Sequence, residues 1–146
     1  MAIFADTSAV VRAYLSDEPD QATLAEVLLA GPEPVVISAL AEVEFVSAVA
    51  RATRDGRIGQ SLADRLLADF GADTASNGPL AVATFDAEAA FATARRLLGK
   101  YRLRTLEALQ LAAAMSVAAT TDEELAFCTR DEDQAVAARA EHLSVL

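Results

Sequence analysis

The chain has 146 residues, 53% of them hydrophobic, and a formal net charge of −10. The length fits one domain over residues 1–146, and the hydrophobic content excludes a disordered chain. The negative charge argues against a protein that holds nucleic acid through a broad basic face, although it leaves local basic clusters open.

Short apolar runs alternate with segments of helical spacing along the whole sequence. The runs predict buried strands at residues 1–5, 35–37, 80–84, 125–129 and 143–146. The helical spacing predicts helices at residues 9–15, 21–30, 39–55, 58–70, 87–98, 106–120 and 132–140. Because each strand is apolar throughout, we expect an α/β fold of three layers, α/β/α, with a central parallel sheet of four to five strands.

Polar residues and glycines mark the expected helix ends. Side-chain caps at helix N-termini are expected at Thr7 or Ser8, Ser38, Asp86 and Thr105. Gly56 and Gly99 are expected to end helices, and residues 71–79 to form the main irregular loop.

The only cysteine, Cys128, has no partner for an internal disulfide, and neither it nor the only histidine, His142, has a zinc ligand set around it. A reducing compartment follows, with the cytoplasm as the default. The first apolar run lacks the basic start and the length of a secretory segment. The apolar segment 108–119 predicts a core helix, since it is too short to span a membrane.

Carboxylates follow two of the predicted strands. Asp6 ends the first strand and Asp131 follows the fourth. Since open α/β sheets bind ligands outside the carboxyl ends of their strands, we expect these two acids to share a cleft. Glu107 falls in the first turn of a helix, where the amide dipoles favour negative charge, so its position alone has a structural explanation.

Glu42 and Glu44 interrupt an otherwise apolar helix. At about 100° per residue they point roughly 200° apart, so at most one can face the cleft, and periodicity does not choose between them. A carboxylate buried on such a helix must be paired or bound to metal. A salt bridge to a nearby arginine is the structural alternative.

Four segments in order carry a resemblance to a known family. They are Asp6-Thr7-Ser8, Ser38 followed six positions later by Glu44, the run LRTLEALQLA over residues 103–112, and Thr129-Arg130-Asp131. Together they resemble a PIN domain, and most specifically the toxin ribonucleases of the VapC family, over essentially the whole chain.

The resemblance implies a small endoribonuclease whose acidic quartet holds Mg²⁺ or Mn²⁺. The four acids of the family fall in order on Asp6, Glu44, Glu107 and Asp131, and its supporting hydroxyl falls on Thr129. Glu42 does not match and is assigned a structural role. The resemblance also implies a homodimer and a small antitoxin protein that blocks the cleft.

One position departs from the family's pattern, because the third acid is usually aspartate and here it is Glu107. The extra methylene moves the carboxylate outward. Glutamate is still a hard-oxygen ligand, so we expect the site to adapt.

A metal is the economical source of the chemistry. Phosphodiester hydrolysis needs a nucleophilic water and charge neutralisation, and no histidine or lysine is placed to supply them, whereas one or two magnesium ions would lower the pKa of bound water. RNA contacts are expected among the arginines near the cleft, which are Arg12, Arg51, Arg54, Arg57, Arg102 and Arg104.

Two other functions fit parts of the sequence. A phosphatase or phosphoryl-acceptor domain would use Asp6 as nucleophile. Such sites generally contain a second acid beside the first and a lysine that pairs with the phosphoryl group, whereas Asp6 is followed by Thr7 and Ser8 and the only lysine is Lys100. A catalytically degenerate PIN-like binding module would instead explain Glu107 as the mark of a lost activity.

Overall fold

The computed structural model describes residues 1–146, with five strands and seven α-helices. The strands are β1 (Ala2–Ala5), β2 (Val35–Ser38), β3 (Leu80–Ala83), β4 (Leu125–Cys128) and β5 (Ser144–Val145). The helices are α1 (Thr7–Tyr14), α2 (Gln21–Ala25, continued by a π-helical turn over Glu26–Ala30), α3 (Ala39–Arg54), α4 (Gln60–Asp73), α5 (Ala87–Lys100), α6 (Thr105–Thr120) and α7 (Glu132–Ala140).

The five strands form one parallel sheet in the order β3-β2-β1-β4-β5. The chain first adds β2 and β3 on one side of β1, then crosses back to lay β4 along its other side. Ala5 pairs with Cys128 at the ends of these two central strands, and the next amide, of Asp6, donates to the carbonyl of Cys128 at 3.0 Å. The strand order therefore reverses at β1 and β4, which is where an open α/β sheet forms a binding crevice.

Helices cover both faces of the sheet, which confirms the predicted three-layer α/β fold. Alternate residues of β1 point to opposite faces, so Ile3 and Ala5 join one buried cluster and Phe4 joins the other. The first cluster packs against α1, α2, α3 and α4, and the second against α5, α6 and α7. None of the helices combines the length and apolarity that a membrane span requires.

The caps of α1 and α3 differ from the prediction. Asp6, and not Thr7 or Ser8, caps α1, because its Oδ1 accepts the amide of Ala9 at 3.1 Å. Ser38 does occupy the N-cap position of α3, but its hydroxyl makes no capping bond and donates instead to the Gln110 side chain. Asp6 therefore combines helix capping with its place at the end of β1, whereas the Ser38 hydroxyl is committed to α6.

The predicted ends of three later helices also need correction. The N-cap of α6 is Arg104 and not Thr105, since the Glu107 carboxylate reaches back to the Arg104 amide. Helix α5 runs through Gly99 to Lys100, and α4 extends into the predicted loop as far as Asp73, which accepts a hydrogen bond from Tyr14. The predicted cap at Asp86 is confirmed by its bond from the Ala89 amide at 2.8 Å.

Candidate active site

A cleft of about 680 Å³ lies at the carboxyl ends of β1 and β4. All four acids singled out from the sequence line it: Asp6 at the start of α1, Glu44 on α3, Glu107 on α6 and Asp131 at the start of α7. Glu42, two residues before Glu44, is exposed and does not line the cleft. The helix phase that periodicity left open thus turns Glu44 inward.

Asp6 is the buried acid of the cleft, with only 4% of its surface exposed. Its Oδ1 accepts the Ser8 hydroxyl at 2.7 Å and the Ala9 amide at 3.1 Å. Burial raises the pKa of Asp6 from its ordinary 3.8 to about 6, and the bonds from Ser8 and Ala9 oppose this rise only in part. The ionised carboxylate is therefore costly where it lies, unless a cation shares the cleft.

Glu44 is held by a partly buried polar network that joins α1, α3 and α6. The Thr7 hydroxyl donates to Oε2 of Glu44, and the Gln110 amide nitrogen donates to the same oxygen at 3.1 Å and to Thr7 Oγ1 at 2.8 Å. Ser38 donates to the Gln110 carbonyl oxygen at 2.7 Å, which fixes the orientation of that amide. This network sets the Glu44 carboxylate on the same side of the cleft as α6.

Asp131 is positioned by the turn between β4 and α7. The Thr129 hydroxyl accepts the Asp131 amide at 3.0 Å and donates to Gln134 Oε1 at 2.8 Å. The Gln134 side chain in turn donates through Nε2 to the backbone carbonyl oxygen of Glu107 at 3.1 Å. The backbone amide of Gln134 donates to Asp131 Oδ1 at 2.8 Å, which caps α7. Gln134, which is buried, thereby links the backbone of Glu107 to the turn that carries Asp131.

Glu107 is engaged by Arg104. Its Oε2 accepts the Arg104 amide at 2.7 Å, and its Oε1 accepts the Arg104 Nε at 2.5 Å and forms an ion pair with Nη2. The hydrogen bond that the Arg104 guanidinium donates to Glu107 raises the pKa of Arg104, and the charges of Asp131 and Glu44 add to this effect. The guanidinium thus lies in the field of three of the four acids.

The donor set fits a hard divalent cation. It offers carboxylate oxygens without nitrogen or sulfur ligands, which suits Mg²⁺ or Mn²⁺. No three of the acids are close enough to enclose an ion as they lie here. Mg²⁺ keeps several waters and is usually bound through one or two carboxylates, so the residues present fit a partly hydrated ion.

Only some of the arginines predicted to contact RNA line the cleft. Arg12, Arg51, Arg57 and Arg104 line the cleft. Arg54 instead lines a smaller groove between α3 and α4, and Arg102 lines neither surface. Helix α3 therefore turns Arg51 toward the acids and Arg54 away from them.

Sequence reasoning missed the roles of Gln110 and Gln134. Both are almost fully buried, at 2% and 0% exposed, and each lies three residues after an acid of the quartet. That spacing places Gln110 above Glu107 on one helix face and puts Gln134 in the first turn behind Asp131. A polar residue in this register inside an apolar helix is the signal that would have found Gln110.

Solved structures of similar fold share little sequence with this chain. VapC20 of Mycobacterium tuberculosis, a Sarcin-Ricin loop cleaving toxin, has a TM-score of 0.67 at 18% identity, covering 93% of this chain and 95% of its own. VapBC-1 of nontypeable Haemophilus influenzae has a TM-score of 0.61 at 12% identity, covering 100% and 97%. FitAB bound to an IR36 DNA fragment has a TM-score of 0.61 at 17% identity, covering 99% and 93%.

The sequence profile of the PIN domain family matches residues 3–140, which include all four acids of the cleft. A comparison with curated protein sequences finds no significant match. The family match and the shared fold confirm the resemblance drawn from the four short segments. This chain belongs to the PIN domain family.

Proposed function

We propose that this protein is a divalent-metal-dependent endoribonuclease and the toxin of a toxin–antitoxin pair. The observation that carries the proposal is that four acids from four separate elements line one cleft at the β1 and β4 ends of a PIN domain. VapC20, which has the same fold, is a Sarcin-Ricin loop cleaving toxin, and this supports RNA as the substrate class.

Asp6, Glu44, Glu107 and Asp131 would hold the cation. A bound Mg²⁺ or Mn²⁺ supplies an activated water and neutralises charge on the phosphate. The chain's own groups prepare the ligands: Ser8 and the Ala9 amide orient Asp6, the Thr7–Gln110 pair orients Glu44, and Thr129 orients the turn that carries Asp131. Helix N-termini behind Asp6 and Asp131 further favour negative charge at these positions.

Arg51 is the residue we assign to the substrate phosphate. The other cleft arginines are paired with carboxylates, as Arg12 with Glu18 and Asp20, Arg57 with Asp17 and Glu18, and Arg104 with Glu107. Arg51 has no carboxylate partner, so its guanidinium is available without breaking an ion pair. A phosphate entering an acidic cleft needs such a cationic contact.

The proposed partners are a small antitoxin and a second copy of the chain. Val43 and Val46 on α3 are 71% and 50% exposed, which is apolar surface that a protein partner would cover. Light scattering of the purified chain tests the homodimer directly. A monomer at all concentrations would contradict that part of the proposal.

The test is cleavage of a labelled RNA by the purified chain with Mg²⁺, Mn²⁺ or EDTA. We expect cleavage only with a divalent ion, and its loss in Glu44→Gln. Glu42→Gln is the matched control, because it removes the same charge from the same helix outside the cleft. Equal activity in both variants would remove Glu44 from the site.

A degenerate binding module is the second candidate, because both Glu107 oxygens are already engaged by Arg104. An inert wild-type protein that still binds RNA would favour it. The phosphatase alternative loses its support, since Lys100 pairs with Glu141 and does not line the cleft. Release of free phosphate from a monoester without RNA cleavage would restore it.

A further inference from the structure

We infer that Arg104 is a displaceable internal counter-ion of the cleft, which competes with the divalent cation for the Glu107 carboxylate. The inference rests on the proposed function, because it concerns the cation of that same site. It assigns to Arg104 a positioning role that limits metal affinity, in place of the RNA contact expected from the sequence.

The competition follows from how α6 begins. With Arg104 at the N-cap, Glu107 is the third helical residue, and its Oε2 reaches back to accept the Arg104 amide at 2.7 Å. This leaves Oε1 as the oxygen for a ligand, and the guanidinium of the same residue binds it through Nε at 2.5 Å. A cation at Oε1 would meet this guanidinium at close range, where like charges repel strongly.

The pair is built so that it can open. The Arg104 side chain is 84% exposed whereas that of Glu107 is only 14% exposed, so the arginine can swing into solvent while the glutamate stays in place. Because the guanidinium is largely in water, hydration offsets much of the attraction that is lost when the pair opens. The hydrogen bond from the Arg104 backbone amide to Oε2 does not involve the guanidinium, so it still holds Glu107 in place when the ion pair breaks.

Arg104 is the arginine of the cleft that pairs with an acid of the quartet. Arg12 and Arg57 bind acids of the segment after α1, which are Asp17, Glu18 and Asp20. Their replacement would therefore leave the four quartet carboxylates with the same partners. Competition for the cation is expected from Arg104 alone.

The experiment measures Mn²⁺ binding to the full chain without RNA, by the electron paramagnetic resonance signal of free Mn²⁺ at pH 7.5 and 0.15 M salt. We expect Arg104→Gln to tighten Mn²⁺ binding by about two- to five-fold, which corresponds to about 0.4 to 1 kcal/mol. Arg102→Gln is the matched control. It removes the same charge at a position two residues earlier, from a side chain that forms no ion pair. Arg102 is exposed and does not line the cleft, and exposed charges more than about 8 Å apart are largely screened at this ionic strength, so we expect little change in this control.

A double-variant cycle separates competition from a general charge effect. In a Glu107→Gln background, Arg104→Gln should change Mn²⁺ affinity no further, because there is no carboxylate to compete for. Circular dichroism of each variant verifies folding. Unchanged or weaker Mn²⁺ binding in Arg104→Gln, or equal tightening in Arg102→Gln, would overturn the inference.

The failure of this inference can be distinguished from that of the proposed function. A wild-type chain that binds Mn²⁺ and cleaves RNA, with Arg104→Gln binding Mn²⁺ no more tightly, overturns only the role of Arg104. A wild-type chain that neither binds millimolar Mn²⁺ nor cleaves RNA overturns both.

Discussion

Replacement of Asp6 by asparagine should stabilise the metal-free protein at neutral pH. Asp6 is 4% exposed, and burial raises its pKa to about 6. Asparagine keeps Oδ1 as the acceptor for the Ser8 hydroxyl and the Ala9 amide, so both hydrogen bonds to this side chain can persist. The substitution therefore removes the buried charge while preserving the local geometry.

The size of the effect follows from the two pKa values. The ordinary pKa of the side chain is 3.8 and its folded value is about 6, so the ionised form is disfavoured in the fold. Each pH unit between the two values corresponds to about 1.4 kcal/mol, which gives about 3 kcal/mol for this carboxylate. Since the folded state binds the proton more tightly, the wild type loses this free energy of unfolding as the pH rises from about 4 to above 6.

The assay is urea denaturation with EDTA, at several pH values between 4.5 and 8, for the wild type and Asp6→Asn. We expect the variant to be more stable by about 2 to 3 kcal/mol at pH 7.5, with the difference shrinking toward pH 4.5. With millimolar Mn²⁺ the difference in free energy of unfolding should narrow or change sign, because only the wild type is stabilised by binding the ion. An Asp6→Asn protein that is less stable than the wild type in EDTA at pH 7.5 would refute the argument.

Three further predictions concern Arg51 in the cleft, the buried thiol of Cys128 and the ion-paired carboxylate of Glu141. Arg51→Ala should lower RNA cleavage by about ten-fold, the effect of losing one charged hydrogen bond, whereas Arg54→Ala on the other side of α3 should not. Equal cleavage rates in the two variants would contradict a contact between Arg51 and the substrate phosphate. Cys128 is 1% exposed and burial raises its pKa to about 11, so a thiol reagent at pH 8 should modify it only after unfolding, and rapid modification of the folded chain would contradict this. Glu141→Gln should reduce the free energy of unfolding at pH 7 by about 1 to 2 kcal/mol in urea denaturation, because the carboxylate accepts two bonds from Arg96 as well as bonds from neighbouring side chains. These bonds, that of Arg96 foremost, lower the pKa of Glu141 to about 2, so the wild type should lose this contribution only as the pH falls from about 4.5 toward 2.

The order of strands and helices could be read from the sequence because each strand is a short apolar run with its own turn signal. The apolar pattern of β1 to β4 specifies burial on both faces, and this predicted a parallel sheet correctly. Helix ends were less accessible, because capping depends on partners distant in sequence. Ser38 has the right residue type for a cap, yet its hydroxyl donates a hydrogen bond to Gln110, 72 positions later in the chain.

Two acids of the cleft, Asp6 and Asp131, could be selected from the sequence because they follow the ends of predicted strands. Glu44 and Glu107 were selected only through the family resemblance, because helix periodicity left the choice between Glu42 and Glu44 open. Asp6 and Asp131 follow two strands that the fold places side by side. The Arg104–Glu107 pair could not be foreseen, since it required knowing that α6 starts at Thr105 with Arg104 as its N-cap. The partners of the Glu107 carboxylate are set by the geometry of the helix start, which residue types alone do not determine.

The proposed metal-dependent ribonuclease activity is tested most directly by single-turnover cleavage of a labelled RNA by the wild type and by Asp131→Asn, with Mn²⁺ and with EDTA. We expect cleavage by the wild type with Mn²⁺ and none with EDTA. We expect a loss of at least about 100-fold in Asp131→Asn, which keeps the capping oxygen for the Gln134 backbone amide but loses the charge. Cleavage that persists in EDTA, or that is equal in the two proteins, would contradict the proposed activity.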